Sequence, residues 1–284
     1  MPLARPELRS VLKERFQVSM SVLKRNNVTV NGSGTRPIVF AHGFGCDQNM
    51  WRYVEPAFRN DYRTILFDHV GAGRSDLSAY DPDKYGSLSG YAKDVIEILA
   101  ELSLPAAIFV GHSVSAMIGA LAAIERPDLF THLVMVGPSP CYINKDGYSG
   151  GFNREDIEGL LEVLDSNYLG WSASMAPVIM GNPDRPELGR ELTESFCRTD
   201  PDIARRFAKV TFLSDNRKDL ARLRAPSLIL QCSEDAIAPT HVGEYVHAHL
   251  PGSEILYMKA TGHCPNLSAP DETIEAIQAW LAKH

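Results

Sequence analysis

Between residues 106 and 124 an apolar run of strand type passes into an apolar run of helical type across only Gly111, His112 and Ser113. Residues 106–110 read as a buried strand and 114–124 as a buried helix. So tight a turn needs Gly111, because a side chain there would crowd the backbone. It also forces Ser113 into an exposed, strained position at the edge of the sheet. The hydroxyl then sits beside a helix N-terminus, where free N–H groups and the helix dipole favour developing negative charge. That is how a nucleophile is displayed. The alternative is a serine that merely caps the helix. Ser115 stands where a G-x-S-x-G motif has its last glycine, so this segment alone does not choose.

The rest of the chain repeats the strand-then-helix rhythm. Strand patterns fall at 38–41, 64–67, 107–110, 133–136, 227–231 and 255–258, and helical patterns near 89–102, 114–126, 241–249 and 271–283. Alternation on this scale predicts an α/β fold, a mostly parallel central sheet flanked by helices on both faces. Residues 139–215 break the rhythm. They open with Pro138-Ser139-Pro140, are helical in pattern, and are punctuated by Gly147, Gly150-Gly151, Gly181-Asn182-Pro183 and Pro201. The expectation is a core of 20–138 and 216–284 with a helical cap, 139–215, over the carboxyl ends of the strands, where open α/β sheets bind ligands. Ahead of the core, residues 1–19 form an extension. Within it Leu8, Val11, Leu12 and Phe16 share one helical face, as expected of a surface helix or, alternatively, a docking helix.

A chain of 284 residues, 44% hydrophobic and 22% charged, fits one large domain with an insertion. A net charge of -7 argues against nucleic acid and against an anionic membrane surface. No apolar stretch reaches the roughly 18 residues of a membrane span, and the first residues lack a secretory leader. Five cysteines (Cys46, Cys141, Cys197, Cys232, Cys264) without paired spacing fit reduced thiols in a cytoplasm, not a disulfide framework or a zinc site.

A serine hydroxyl needs a base, and the base needs an orienting acid. Asp235 follows the 227–231 strand and His263 follows the 255–258 strand. Glu234 is the neighbouring carboxylate, but Pro239, four residues after Asp235, favours the aspartate. The order Ser, Asp, His, each in a loop after a strand, belongs to α/β-hydrolases and not to the trypsin or subtilisin types. The loop Phe40-Ala41-His42-Gly43-Phe44-Gly45 supplies the remaining part. By position the N–H groups of Phe44 and Val114 form the oxyanion hole. His42 and His112 are expected to pack and to hold loop backbones, while His241, His247 and His249 are read as surface. Gly71-Ala72-Gly73-Arg74-Ser75-Asp76 is not G-x-G-x-x-G and reads as a structural loop. No metal, nucleotide or flavin is required. Serine at the turn excludes the dehalogenase and epoxide-hydrolase chemistry of this fold, which needs aspartate there.

The motif His42-Gly43-Phe44-Gly45-Cys46-Asp47-Gln48-Asn49-Met50-Trp51 resembles that of the RsbQ-like branch of the α/β-hydrolases. So do Gly111-His112-Ser113-Val114-Ser115, Val136-Gly137-Pro138-Ser139-Pro140-Cys141-Tyr142 and Gly262-His263-Cys264-Pro265. The branch includes plant strigolactone and karrikin receptors, and the likeness runs from about residue 20 to 284. It implies a Ser–His–Asp site under a four-helix cap, with Phe44, Phe152 and Trp171 lining an apolar pocket. The bland alternative is that these aromatics only pack the cap on the core. It further implies a small hydrophobic ester or lactone as ligand, and a sensor-domain phosphatase as partner in a stress-signalling role. Two functions follow: a serine hydrolase of small apolar esters or lactones, or a ligand-gated signalling protein with slow turnover. The same triad also suits a cofactor-free C–C hydrolase. Cys264, next to His263, is expected to be an inert buried thiol, with a redox switch as the alternative.

Overall fold

The computed structural model describes residues 21–284; the expected N-terminal extension and its amphipathic face lie outside the described residues. Seven strands form one sheet in the order β1-β3-β2-β4-β5-β6-β7. They are β1 (Thr29–Asn31), β2 (Arg36–Ala41), β3 (Tyr62–Phe67), β4 (Ala107–His112), β5 (Phe130–Val136), β6 (Ser227–Glu234) and β7 (Ser253–Thr261). Among the described residues only β1 is antiparallel; every other pairing there is parallel. This is the expected α/β-hydrolase architecture.

The strand residues sort into two cores by their period of two. Val39, Phe109, Met135 and Ile229 face one core, shared with α1 (Leu88–Leu102), α2 (Val114–Glu125) and Val246 of a later helix. Ile38, Val110, Val134 and Leu228 face the other, shared with Ile277 and Trp280 near the C-terminus. The central strands are buried on both sides, so each fully buried Val, Ile, Leu or Phe contributes about 1.5–3 kcal/mol. That is why they read as continuous apolar runs.

Four helices lie between β5 and β6: α3 (Arg154–Ser166), α4 (Tyr168–Met180), α5 (Pro186–Arg198) and α6 (Pro201–Phe212). Their residues Leu164, Trp171, Leu192 and Phe196 join the second core. Residues 139–153, which share the insertion's composition, are not helical. Pro138, Pro140 and the glycines hold them in turns and isolated bridges, among them Cys141 to Asp215 and Ile143 to Phe152. The insertion has a closed neck: Cys141 pairs with Asp215, and the Asn216 N–H donates to the Pro140 carbonyl at 2.7 Å. The last helices are α7 (Thr240–His249) and α8 (Pro270–Leu281). None of the helices described is long and apolar enough to cross a membrane.

Candidate active site

The parallel strands deliver their following loops to one edge of the sheet. After β4 the backbone of Ser113 takes φ 57° and ψ −124°, a conformation that costs an L-residue roughly 1–3 kcal/mol. The core holds it there. The Ser113 N–H donates to the Val136 carbonyl at 2.8 Å. A Cβ on Gly111 would stand 2.5 Å from the Ser115 carbonyl oxygen, so only glycine lets α2 start so close to the strand.

His263 follows β7 through Gly262, whose φ is +78°. Its Nε2 is 2.7 Å from Ser113 Oγ and its Nδ1 is 2.7 Å from Asp235 Oδ2. The other carboxylate oxygen, Oδ1, accepts the Ile237 and Ala238 N–H groups at 2.8 and 2.9 Å. Burial pushes the Asp235 pKa up, but His263 and the two amides outweigh it, and the net shift is below the ordinary carboxylate value. A carboxylate held ionised in this way keeps a proton on Nδ1 and leaves Nε2 free to accept one. Glu234, the neighbouring candidate, is exposed, whereas Asp235 is buried.

The Phe44 loop follows β2. Among the described residues neither the Phe44 nor the Val114 amide has a hydrogen-bond acceptor in the protein, the condition required of donors kept for an oxyanion. The loop is fixed from behind by His42, which holds loop backbone as expected, together with Ser115 and His69. His42 Nδ1 bonds the Gly43 carbonyl at 2.8 Å, and its Nε2 accepts the His69 N–H at 3.0 Å. Ser115 Oγ donates to the His42 carbonyl at 2.5 Å. It must therefore accept from His69 Nε2, 2.8 Å away. The serine in place of the motif's last glycine thus ties the start of α2 to the Phe44 loop. His69 follows β3 and carries no motif of its own; its burial and its place in a loop at this edge are the only signals. Burial, with His42 beside it, pushes its pKa well below the usual imidazole range. His112 donates from Nε2 to the His263 carbonyl at 2.7 Å. Burial and the neighbouring His263 lower its pKa to about 3, so it is neutral and positions the His263 main chain.

The cap completes the site. Helix α4 ends with carbonyls that have no partner further along the helix, and the His263 loop takes them up. The His263 N–H donates to the Ile179 carbonyl at 2.8 Å, and Thr261 Oγ1 donates to the Gly181 carbonyl at 3.2 Å. Asn182 Nδ2 bridges Met180 O at 2.6 Å and Thr261 O at 3.1 Å. Gly262 packs so tightly on the Met180 carbonyl that a Cβ would overlap it.

Ser113, His263, Phe44, Tyr142, Phe196 and Phe212 line a cavity of about 30 Å³, with Cys46, Cys264, Ile179 and Thr211 also on its wall. Burial pushes the Tyr142 phenol up. Phe44 is on this wall, but Phe152 and Trp171 are not, which corrects the pocket read from the sequence. Trp171 stands behind Phe44, 6.0 Å between ring centroids, and stacks on Phe196 at 5.5 Å. Phe152 is occupied at the neck, where its N–H donates to the Tyr142 carbonyl at 3.2 Å. Tyr142, Phe196 and Phe212 supply the aromatic wall instead. Burial raises the Cys264 thiol well above its ordinary pKa, and raises Cys46 to about 12. Neither is a thiolate at neutral pH, as an inert buried thiol requires.

A strained serine at a strand-to-helix turn stands in series with a histidine and a buried aspartate at one sheet edge. The chain belongs to the alpha/beta hydrolase family, whose model matches residues 38–276. It is 42% identical to a Karrikin insensitive 2 receptor of Petunia hybrida over 257 residues, covering 90% of this chain and 95% of the relative. It is 36% identical to a strigolactone esterase of Arabidopsis thaliana, covering 93% of this chain and 98% of the relative. The solved structure of a hydrolase from Oleispira antarctica superposes with a TM-score of 0.90 at 41% identity, covering 93% of this chain and 97% of the other.

Proposed function

We propose that this chain is a serine hydrolase for a small apolar ester or lactone, with Ser113 as nucleophile, His263 as base and Asp235 as the orienting acid. The observation that carries this is the unbroken series of two 2.7 Å contacts from Ser113 through His263 to Asp235. Ser113 Oγ attacks the carbonyl carbon while its proton passes to His263 Nε2, and Asp235 stabilises the imidazolium formed. The Phe44 and Val114 N–H groups receive the oxyanion. Collapse of the tetrahedral intermediate expels the alcohol, which takes the proton from Nε2. Water activated by the now neutral His263 then releases the acid; for a lactone, acid and alcohol are one molecule. The test is p-nitrophenyl acetate hydrolysis by wild type and Ser113→Ala. Loss of at least about 10⁴-fold in the variant is expected; equal rates would overturn the reading.

A second reading, ligand-gated signalling, is favoured by the cap joint: the base's own N–H is bonded to cap helix α4. A ligand that opens a 30 Å³ cavity moves the cap, and a cap movement is something a partner can recognise. The plant relatives are named as receptors, and a sensor-domain phosphatase in a reducing cytoplasm is the partner this reading takes. Slow turnover with ligand-dependent cap protection in hydrogen exchange supports signalling; rapid turnover on many esters supports the enzyme alone.

A further inference from the structure

Hydroxyls inside helices ordinarily bond a carbonyl one turn back, and several here do. Thr193 bonds Gly189 O at 2.9 Å, Thr273 bonds Ala269 O at 3.0 Å and Ser172 bonds Tyr168 O at 2.8 Å. Thr211, in the last turn of α6, is different. Its side-chain oxygen is buried and has no hydrogen-bond partner among the described residues, the residue is 1% exposed, and it stands on the wall of the cavity that holds Ser113 and His263. A buried hydroxyl left unsatisfied is costly. The wall also carries Ser113, Tyr142 and His263 beside the apolar Phe44, Phe196 and Phe212, but among the described residues none of its polar groups bonds the Thr211 hydroxyl, which leaves that hydroxyl open to a partner supplied by whatever fills the cavity.

We propose that Thr211 is a specificity-determining residue, bonding an oxygen of the substrate that lies outside the reacting ester group. The substrate class is then a compact ester or lactone with a second oxygen function, a carbonyl, hydroxyl or ether, presented to α6 while the scissile carbonyl faces the sheet edge. This rests on the Ser113 hydrolase reading. A threonine hydroxyl both donates and accepts, so it serves any of the three oxygen types and rejects an alkyl group at the same place. Discrimination of that kind is strong because the analogue without the oxygen leaves the buried hydroxyl unpaired again.

The test compares kcat/KM for p-nitrophenyl pentanoate with that for the 4-oxopentanoate and 3-hydroxybutanoate esters. Wild type, Thr211→Val, Thr211→Ser and Ser113→Ala are assayed alike. Wild type should favour the better of the two oxygenated esters by about tenfold, the worth of one good hydrogen bond. Thr211→Val should bring that ratio to about one, and Thr211→Ser should keep most of it. A ratio near one in wild type, or one unchanged in Thr211→Val, overturns the assignment. Thermal unfolding without substrate gives a second readout. Thr211→Val, nearly the same shape, should melt no lower than wild type because its hydroxyl has no protein partner to lose. A clear drop would show that the hydroxyl serves the fold, and would overturn the assignment too. If Ser113→Ala hydrolyses these esters as fast as wild type, it is the hydrolase reading that fails. If only the Thr211 ratio is unmoved, that reading stands and this one falls.

Discussion

Ser113 and His263, the proposed nucleophile and base, are held by different parts of the molecule. Everything that fixes Ser113 belongs to the core: the Val136 carbonyl, the glycine at 111 and the Ser115–His42–His69 group. His263 is held on one side by His112 and Asp235, which are core residues, but its main-chain N–H is bonded to the cap at Ile179. The serine's geometry is therefore a property of the sheet. The histidine's geometry is a property of the sheet and the cap together, so anything that displaces α4 acts on the base before it acts on the nucleophile.

The comparison breaks most severely at Asp235. Asp235→Asn should cut kcat by about 10⁴-fold, because an amide no longer favours the tautomer with a free Nε2, while circular dichroism shows an intact fold. A smaller loss would mean that the His112 and Ile179 contacts alone keep the ring in place.

Acid attacks the core-held side. His69 and His112 are neutral in the fold but bind a proton at the ordinary pKa of about 6.5 once unfolded. Between about pH 6.5 and pH 3 the unfolded state thus holds the extra protons, and stability falls as pH falls, by up to about 1.4 kcal/mol per pH unit for each histidine. Asp235, whose pKa is lowered, adds a loss that begins as its unfolded carboxylate protonates near about pH 4 and is complete below its folded pKa. Urea denaturation at a series of pH values measures the slope. A flat profile above pH 4 would mean that the two rings accept protons in place.

Asn182→Ala sharpens the comparison with a smaller effect. It removes three side-chain hydrogen bonds, to Met180 O, to Thr261 O and from Arg185, each worth about 1 kcal/mol or somewhat more. The His263 amide should exchange hydrogen faster, roughly tenfold, while the Ser113 amide, bonded to Val136, keeps its rate. Equal changes at both would show that cap and sheet move as one body. The smallest expected effect is at Cys264: peroxide should alter wild type and Cys264→Ala alike, since a thiol with a raised pKa is a poor nucleophile.

The sequence made the core-held side legible. Ser113, Asp235 and His263 each follow an apolar run, and a parallel sheet brings the ends of such runs to one edge whatever lies between. Helix limits at 89–102 and 241–249 differ from those found by a single residue, because the period of burial there is regular. The cap-held side was not legible. Helix α4 is apolar on nearly every face, with Leu169 and Val178 exposed and Trp171 and Ile179 buried, so its pattern does not say which aromatics meet the cavity. The expectation for Trp171 rested on the resemblance, and nothing in the local pattern places it behind the wall instead of on it. His69 and Ser115 meet only because β3 and β4 both flank β2, a long-range fact that neither local pattern contains.

The closed neck at Cys141 and Asp215 has a consequence for how such a molecule changes over time. A segment that leaves and re-enters the sheet at one point makes no demand on the strands beneath it, and lengthening a loop whose ends already meet costs little. The sheet can thus act as a chassis on which caps are exchanged, so that one hydrolytic edge serves many ligands. The His263–Ile179 bond limits that freedom. Any replacement cap must end a helix at the same place, offering one unpaired carbonyl to the histidine loop.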